Sequence, residues 1–401
     1  MKKVLVASFD MEVGGVERSL ISMLHNFDYK YDVDLMLYSH TGDFMDLLPK
    51  SPNLLPENKK YKTFRMPIAQ IVKQGNIHMA ISRVYSILES KLASKIKGLD
   101  ESVYAQMQYM WKNSLYFLPK HKKKYDVAIS YLWPHYFVAQ KVDAKVKIAW
   151  IHTDYSKLET DIEVDLKMWD QFDYIVAVSQ ECKNAFLEKY NKLKDKVIVI
   201  ENITSPIFIE TMAKEEVENP LNDGDCFKIV SVARLSYAKG IDNAVRALKI
   251  LVDKGYDNIK WYVVGYGGDE ILIRNLIKEN ELEDSFILLG KRTNPYPYMI
   301  KCDLYAQPSR YEGKAVTVGE AQILGKAVMI TNYKTAKSQL KDGVDGYITE
   351  LSVEGIADGI EKLYNDSELR LKLEKNCLNS NYSNENELNK LYKVINGEGE
   401  K

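Results

Sequence analysis

The run Pro308-Ser-Arg-Tyr-Glu-Gly-Lys-Ala-Val-Thr-Val-Gly-Glu-Ala-Gln-Ile-Leu-Gly-Lys-Ala-Val328 decides how this 401-residue chain is read. Short apolar runs stand on either side of it, Leu304–Ala306 before and Val328–Thr331 after, and each suits a buried strand. Between them a glycine turn at Gly313 leads into a helix expected from about Val316. Glu312 falls on the turn and Glu320 about one helical turn inside. A carboxylate at the second place can accept two hydrogen bonds from a ribose diol, and free amides at the helix start can hold phosphate. Two carboxylates at this spacing look like a glycosidase pair only on the surface, because spacing in sequence does not set their separation in space.

About 75 residues upstream, Ser231-Val-Ala-Arg-Leu-Ser-Tyr-Ala-Lys-Gly240 has the same form, a strand running into a helix. Arg234 leaves the strand end and Lys239 begins the helix; a forked guanidinium and an ammonium there suit a diphosphate. Two solvated surface cations would look the same in isolation. Near the N-terminus, Val4–Phe9 is a strand candidate followed by Asp10-Met-Glu-Val-Gly-Gly-Val-Glu-Arg18. There Gly14 and Gly15 let backbone amides approach an anion. The segment lacks G-x-G-x-x-G, so it gives dinucleotide binding little support, and a plain tight turn has the same appearance.

Further strand candidates are Val33–Tyr38, Val127–Tyr131, Ile148–Ile151, Tyr174–Val178 and Val197–Ile200 in the first half. Ile229–Val232, Trp261–Val264 and Phe286–Leu289 lie in the second. Helical patterns alternate with them, notably Gly240–Lys254 with its apolar stripe. This alternation predicts an α/β chain with a parallel, doubly wound sheet in each half. The linker is expected near Asn202–Ile209 or in the polar stretch Lys214–Asp225.

The composition is that of a folded chain, 46% hydrophobic and 28% charged, long enough for two domains. No run approaches the length of a membrane span, and the opening MKKVLVASFD is too short in apolar residues for a signal peptide. Cys182, Cys226, Cys302 and Cys377 are scattered and read as reduced thiols, with no metal-ligand spacing. The formal net charge of −1 argues against a nucleic-acid binder held by overall charge. It conceals a separation: residues 41–125 hold 15 basic and 6 acidic side chains, a net of +9, leaving −10 elsewhere.

Taken together, P-S-x-x-E-G-x(6)-E-A ending in G-K-A-V, with the Arg/Lys element before it, resembles the retaining glycosyltransferases of family four. Similar in the same order are Gly14-Gly-Val-Glu17, Asp173-Tyr-Ile-Val-Ala-Val-Ser179, Val199-Ile-Glu-Asn202 and Asp342-Gly-Val-Asp-Gly346. The resemblance covers nearly the whole chain. It implies the GT-B fold, two facing Rossmann-like domains with a cleft between them. The expected division is 1–205 on the acceptor side, carrying the basic insertion 41–125, and 206–375 on the nucleotide-sugar side. Residues 376–401 would cross back as a helix and end in a frayed tail, Gly397–Lys401.

By the same resemblance Arg234 and Lys239 neutralise the departing diphosphate, Glu320 binds the ribose and Glu312 faces the donor sugar. Backbone amides of Lys314, Ala315, Val316 and Thr317 contact the sugar or β-phosphate, and Gly15 completes the donor set. This sequence reads Glu-Gly-Lys-Ala where the family commonly reads E-G-F-G, so Ala315 narrows the approach and Lys314 adds a cation. His152, in Trp150-Ile-His-Thr-Asp154, is expected to touch the sugar, with Asp154 fixing its tautomer.

The activity implied is hexosyl transfer with retention, without metal or cofactor, from a nucleotide sugar (UDP-sugar by family frequency) to a glycan or lipid-linked acceptor in bacterial surface polysaccharide or glycolipid synthesis. Richness in Lys, Asn and Tyr is compatible with an AT-rich bacterial genome. Rival readings are a nucleotide-sugar epimerase on a GT-B-like fold and a catalytically silent scaffold subunit. In the insertion, Lys59, Lys60, Arg65, Arg83, Lys91 and Lys95 are candidates for an acceptor or anionic membrane face, which would hold a cytoplasmic enzyme at the inner face of the membrane. Ile77, Ile81, Val84, Leu88, Leu92 and Ile96 recur there at helical spacing, a stripe that could instead pack on the domain.

Overall fold

The computed structural model describes residues 1–97, 103–222, 225–382, 384 and 386–398. The chain forms two compact units, one of 1–12, 16–202 and 386–401, the other of 13–15 and 203–385. Of the expected linker, Asp223 and Gly224 lie outside the described residues, as do 399–401 of the tail.

The first unit is built on a parallel sheet of β1 (Lys2–Ser8), β2 (Tyr31–Leu37), β3 (Asn53–Leu54), β4 (Lys124–Ser130), β5 (Asp143–Ile151), β6 (Tyr174–Ala177) and β7 (Val197–Val199). Their spatial order is β3-β2-β1-β4-β5-β6-β7. The chain leaves one edge after β3 and restarts beside β1, so the strand order reverses between β1 and β4. The helix Asn386–Asn396 belongs to this unit and buries Leu388, Leu391, Val394 and Ile395. It is tied by Lys2 Nζ on the Ile395 carbonyl at 2.8 Å and by Tyr392 stacked on Tyr31. The preceding helix, Ser367–Asn379, stays with the second unit, so the chain crosses later than residue 376.

The second unit's sheet holds β8 (Phe227–Val232), β9 (Ile259–Val264), β10 (Phe286–Gly290), β11 (Leu304–Gln307), β12 (Val328–Thr331) and β13 (Tyr347–Thr349). The order is β10-β9-β8-β11-β12-β13, all parallel. Both faces are covered, which is why these strands read as unbroken apolar runs. Ile229, Trp261, Leu304 and Met329 point to one core with the helices Ile241–Asp253 and Val353–Asn365. Val230, Tyr262, Tyr305 and Val328 point to the other with Val318 and Ala321. The expected α/β, doubly wound class is what forms. Two strands escaped the sequence reading: β3 is two exposed residues, and β13 is three residues behind the Asp342–Gly346 turn.

Sheet two reverses order between β8 and β11, and there the chain is drawn unusually tight. Gly240 has φ +63°, and a Cβ on it would stand 2.0 Å from the Pro308 carbonyl oxygen. The Arg310 amide donates to the Ala238 carbonyl at 2.8 Å. Arg310 also makes two 2.7 Å contacts with Asp242 and lies over the Tyr237 ring. The loop after β8 is thus bound directly to the loop after β11.

The insertion 41–125 is anchored by aromatic rings rather than by its apolar helix. Trp111 stacks on Phe64 with centroids 3.7 Å apart, and Tyr61 contacts Tyr38 and Phe137 of the domain. Asp161 ties the insertion's helices to the helix Ile162–Trp169. It caps that helix and accepts hydrogen bonds from Tyr109 (2.6 Å) and Lys97 (2.9 Å). Arg65 is spent inside the unit, paired with buried Asp10 and lying over Phe9.

Two outcomes follow. Gly240→Ala forces a side chain onto the Pro308 carbonyl and into a left-handed backbone, a penalty on the order of 1–3 kcal/mol from strain alone. A melting temperature lowered by several degrees checks this, and an unchanged one contradicts the tight junction. Burial pushes the Asp165 carboxyl up to about 6, against the pull of the Tyr190 hydroxyl 2.6 Å away. The folded state then keeps this proton to about pH 6 and the unfolded chain only to 3.8, so the group's stabilising share is lost as pH rises through 6. Asp165→Asn should melt above wild type at neutral pH, with the gap closing towards pH 3.8.

Candidate functional site

In an open parallel sheet a ligand binds outside the carboxyl ends of the strands, where the order reverses. In the second unit that place lies between β8 and β11, and the residues singled out from the sequence gather there. Arg234 follows β8; it is exposed, and no hydrogen-bond or ion-pair partner is found for it among the described residues. Lys239 closes the short turn Tyr237–Lys239 just before the helix that Gly240 starts. Its ammonium lies 2.6 Å from both carboxylate oxygens of Glu312.

Glu312 is 8% exposed, so its charge needs compensation. Besides Lys239, its Oε1 accepts from Ser309 Oγ at 2.7 Å and Gln307 Nε2 at 3.1 Å. Gln307 is itself held by the Tyr305 hydroxyl at 2.8 Å, and the Thr331 hydroxyl donates to the Ser309 carbonyl. One carboxylate oxygen is therefore anchored from the sheet, and the other has Lys239 as a salt-bridge partner. Sequence reasoning missed Ser309 and Gln307 as supports, although both stand in or beside the quoted run.

Glu320 lies one turn into the helix Val316–Ile323 and is 1% exposed. Its Oε1 accepts from the Tyr296 hydroxyl at 2.9 Å. Tyr296 was not expected here; it comes from a segment distant in sequence, with no local pattern to mark it. Lys314, Val316 and Thr317 are half-buried around the helix start, and Thr317 Oγ1 is 3.5 Å from Gln307 Oε1. The expectation for the Ala315 amide is corrected: it donates to Gln339 Oε1 at 2.7 Å, and Ala315 itself is buried. A ligand would have to displace Gln339 to use it.

Of the remaining candidates, His152 and the insertion's basic residues belong to the first unit. Gly15 opens the helix Gly15–His25 and is grouped with the second unit, 3.8 Å from Val316 by the position its Cβ would take. His152 follows β5 and is half-buried. Burial drives its pKa down to about 3 against the Tyr131 carbonyl and the Asn202 side chain, so the ring is neutral. Nε2 lies 3.0 Å from the Tyr131 carbonyl oxygen, which can only accept; Nε2 carries the proton and Nδ1 is the acceptor. The tautomer is therefore fixed by Tyr131. Asp154, expected in that role, instead caps the turn Tyr155–Lys157 through the Ser156 amide and hydroxyl.

In the insertion, Lys59, Lys91 and Lys95 are exposed, with no ion-pair partner found among the described residues. Lys60 donates to the Phe117 carbonyl at 2.9 Å, and half-buried Arg83 donates to the Met66 carbonyl. With Arg65 on Asp10, three of the six cations expected on an acceptor or membrane face are committed to the fold.

Residues 212–379, the span that contains this site, match the family described as Glycosyl transferases group 1. An uncharacterized glycosyltransferase of Methanocaldococcus jannaschii is 24% identical over 379 residues, 92% of this chain and 90% of that protein. The capsular polysaccharide biosynthesis glycosyltransferase CapM of Staphylococcus aureus is 28% identical over 215 residues, 49% of this chain and 53% of CapM. A Campylobacter jejuni N-acetylgalactosaminyltransferase acting on a diphospho-undecaprenol-linked sugar is 34% identical over 146 residues, 35% and 38% of the two chains. The chain thus spans about half or less of the length of several curated relatives. Among solved structures, Anabaena HepE with UDP-glucose superposes at a TM-score of 0.70 and 16% identity, over 99% of this chain and 100% of that one. A variant of S. aureus TarM with fondaparinux, alpha-GlcNAc-glycerol and UDP gives 0.70 and 16% at the same coverage. Residues 212–379 thus resemble the group 1 glycosyl transferases, and the two parallel sheets share the GT-B fold of these solved structures.

Proposed function

We propose that this protein is a retaining glycosyltransferase that moves a hexosyl unit from a nucleotide sugar, a UDP-sugar first, to a glycan or lipid-linked acceptor in bacterial surface polysaccharide or glycolipid synthesis. The observation that carries the reading is the grouping of Arg234, Lys239 and Glu312 at the reversal point of the second sheet. HepE and TarM, solved in complex with UDP-glucose and UDP, support the choice of nucleotide; CapM and the C. jejuni transferase support the acceptor class.

The donor's bond to be broken joins the anomeric carbon to the β-phosphate oxygen. Negative charge grows on that oxygen as the bond lengthens, and Arg234 and Lys239 meet it where it develops. Lys239 exchanges the Glu312 carboxylate for the diphosphate, while Ser309 and Gln307 keep Glu312 in place. The released carboxylate then faces the sugar carbon as it gains positive charge. Glu320, buried beside Tyr296, takes the ribose hydroxyls. His152 offers Nδ1 as an acceptor to a sugar hydroxyl, an assignment that rests on the motif resemblance. In this reading two side-chain cations supply the charge that a metal would bring, and no cofactor is required.

We extend the proposal to a peripheral place at the inner face of the membrane. The local charge of residues 41–125 supports it, and among the described residues no helix is long and apolar enough to cross a bilayer. Purified Arg234→Ala should lower turnover of UDP-sugars at least about 100-fold with the melting temperature retained. Lys239→Ala should lower it as much while also lowering the melting temperature, because buried Glu312 loses its counter-charge. Turnover at the wild-type rate in either variant removes the diphosphate assignment. A chelator should leave wild-type turnover unchanged, and loss of turnover restored by a divalent ion overturns metal independence. Conversion of the nucleotide sugar without acceptor would mark an epimerase, and donor binding with no turnover across an acceptor panel a silent subunit.

A further inference from the structure

The helix Ile77–Lys97 is amphipathic in reverse. Its inward row is Ser82, Ser86, Ser90 and Ser94, all buried, whereas Ile77, Ile81, Val84, Leu88, Leu92 and Ile96 are between 47% and 75% exposed. A surface helix ordinarily turns its apolar stripe to the core. Here the opposite orientation is pinned. Ser82 Oγ lies 2.9 Å from Ser114 Oγ on the neighbouring helix Val103–Ser114, and Asn113 Nδ2 donates to Ser86 Oγ at 3.1 Å. Lys112 holds Glu89 at 2.6 Å, and Lys97 holds Asp161 and Glu163 at the far end. Turning the helix over would break these contacts and bury Lys91 and Lys95.

The stripe therefore faces outward along a helix about 31 Å long, and the charges at its margin say what covers it. Lys91 stands on the stripe's edge, Lys95 falls within the stripe near the helix's C-terminal end, and Lys73 ends the preceding helix Ile68–Lys73 beside exposed Val72. All three are exposed, and none has a carboxylate within ion-pair distance among the described residues. The helix's one carboxylate, Glu89, is already paired. A second copy packed stripe to stripe would bring more lysines and no counter-charge. A bilayer with anionic headgroups supplies both an apolar layer and negative phosphates at its rim.

We propose that the helix Ile77–Lys97 lies in the interfacial plane of an anionic bilayer, its stripe in the acyl boundary and Lys91 and Lys95 at the lipid phosphates. This rests on the peripheral-membrane reading above and gives it an element and a mode, insertion rather than charge alone. The three basic residues committed to the fold, Lys60, Arg65 and Arg83, take no part.

The test is flotation of the full chain with phosphatidylglycerol–phosphatidylcholine and phosphatidylcholine-only vesicles at low and high salt. It is repeated on Ile81→Asn/Leu88→Asn/Leu92→Asn and on Lys91→Glu/Lys95→Glu, with melting temperature and UDP-induced thermal shift measured on every protein. The expected result is stronger flotation with anionic vesicles, reduced but not abolished by salt. The triple variant should lose at least tenfold in vesicle binding while melting as wild type does, and the charge reversal should lose the anionic preference. Absence of wild-type flotation, or equal flotation by the triple variant, overturns the proposal. So does a wild-type dimer that the triple variant converts to monomer without any vesicle binding, which assigns the stripe to a second copy. If wild type floats as expected but UDP produces no shift, the bilayer proposal is supported and the donor reading falls.

Discussion

Lys239 can rest on Glu312 only because Gly240 lets the loop after β8 touch the Pro308 carbonyl at the end of β11. That single close approach joins two strands that are neighbours in space but separated in sequence by β9, β10 and their helices. Around it the Arg310–Asp242 pair locks the loops from outside, and the Tyr305–Gln307–Ser309 chain fixes the carboxylate from below. The pairing of Lys239 with Glu312 takes its position from this junction.

The junction also settles how charge is stored. A carboxylate as buried as Glu312 is costly unless its charge is compensated and its lone pairs are satisfied. Lys239 does this, and under the proposed function the cation that would meet a diphosphate is already ordered at the mouth of the site. In that proposal, exchange of one anion for another would ask little reorganisation of the protein, which is the condition for electrostatic assistance to a leaving group.

The first unit handles its polar groups differently. Asp10, Asp161 and Asp165 are buried at helix starts and strand ends, and the insertion supplies partners to two of them, Arg65 for Asp10 and Lys97 with Tyr109 for Asp161. Much of the insertion's positive charge is consequently structural. Its apolar content is divided likewise: aromatic rings hold it to the sheet, and the aliphatic stripe is left outside.

The sequence by itself determined the alternation of strands and helices, because parallel strands covered on both faces must be continuously apolar and their helices striped. It also brought Arg234, Lys239, Glu312 and Glu320 forward, since each follows a strand or begins a helix, where local spacing is informative. It did not determine β3 and β13, which are too short to carry a pattern. Nor did it assign Tyr296 to Glu320, Gln339 to the Ala315 amide or Tyr131 to His152. Those partners come from segments remote in the chain, and only the packing of the sheets decides which of them meet. The face of the helix 77–97 was decided in the same way: periodicity located its stripe, but hydrogen bonds to a neighbouring helix chose the side turned inward.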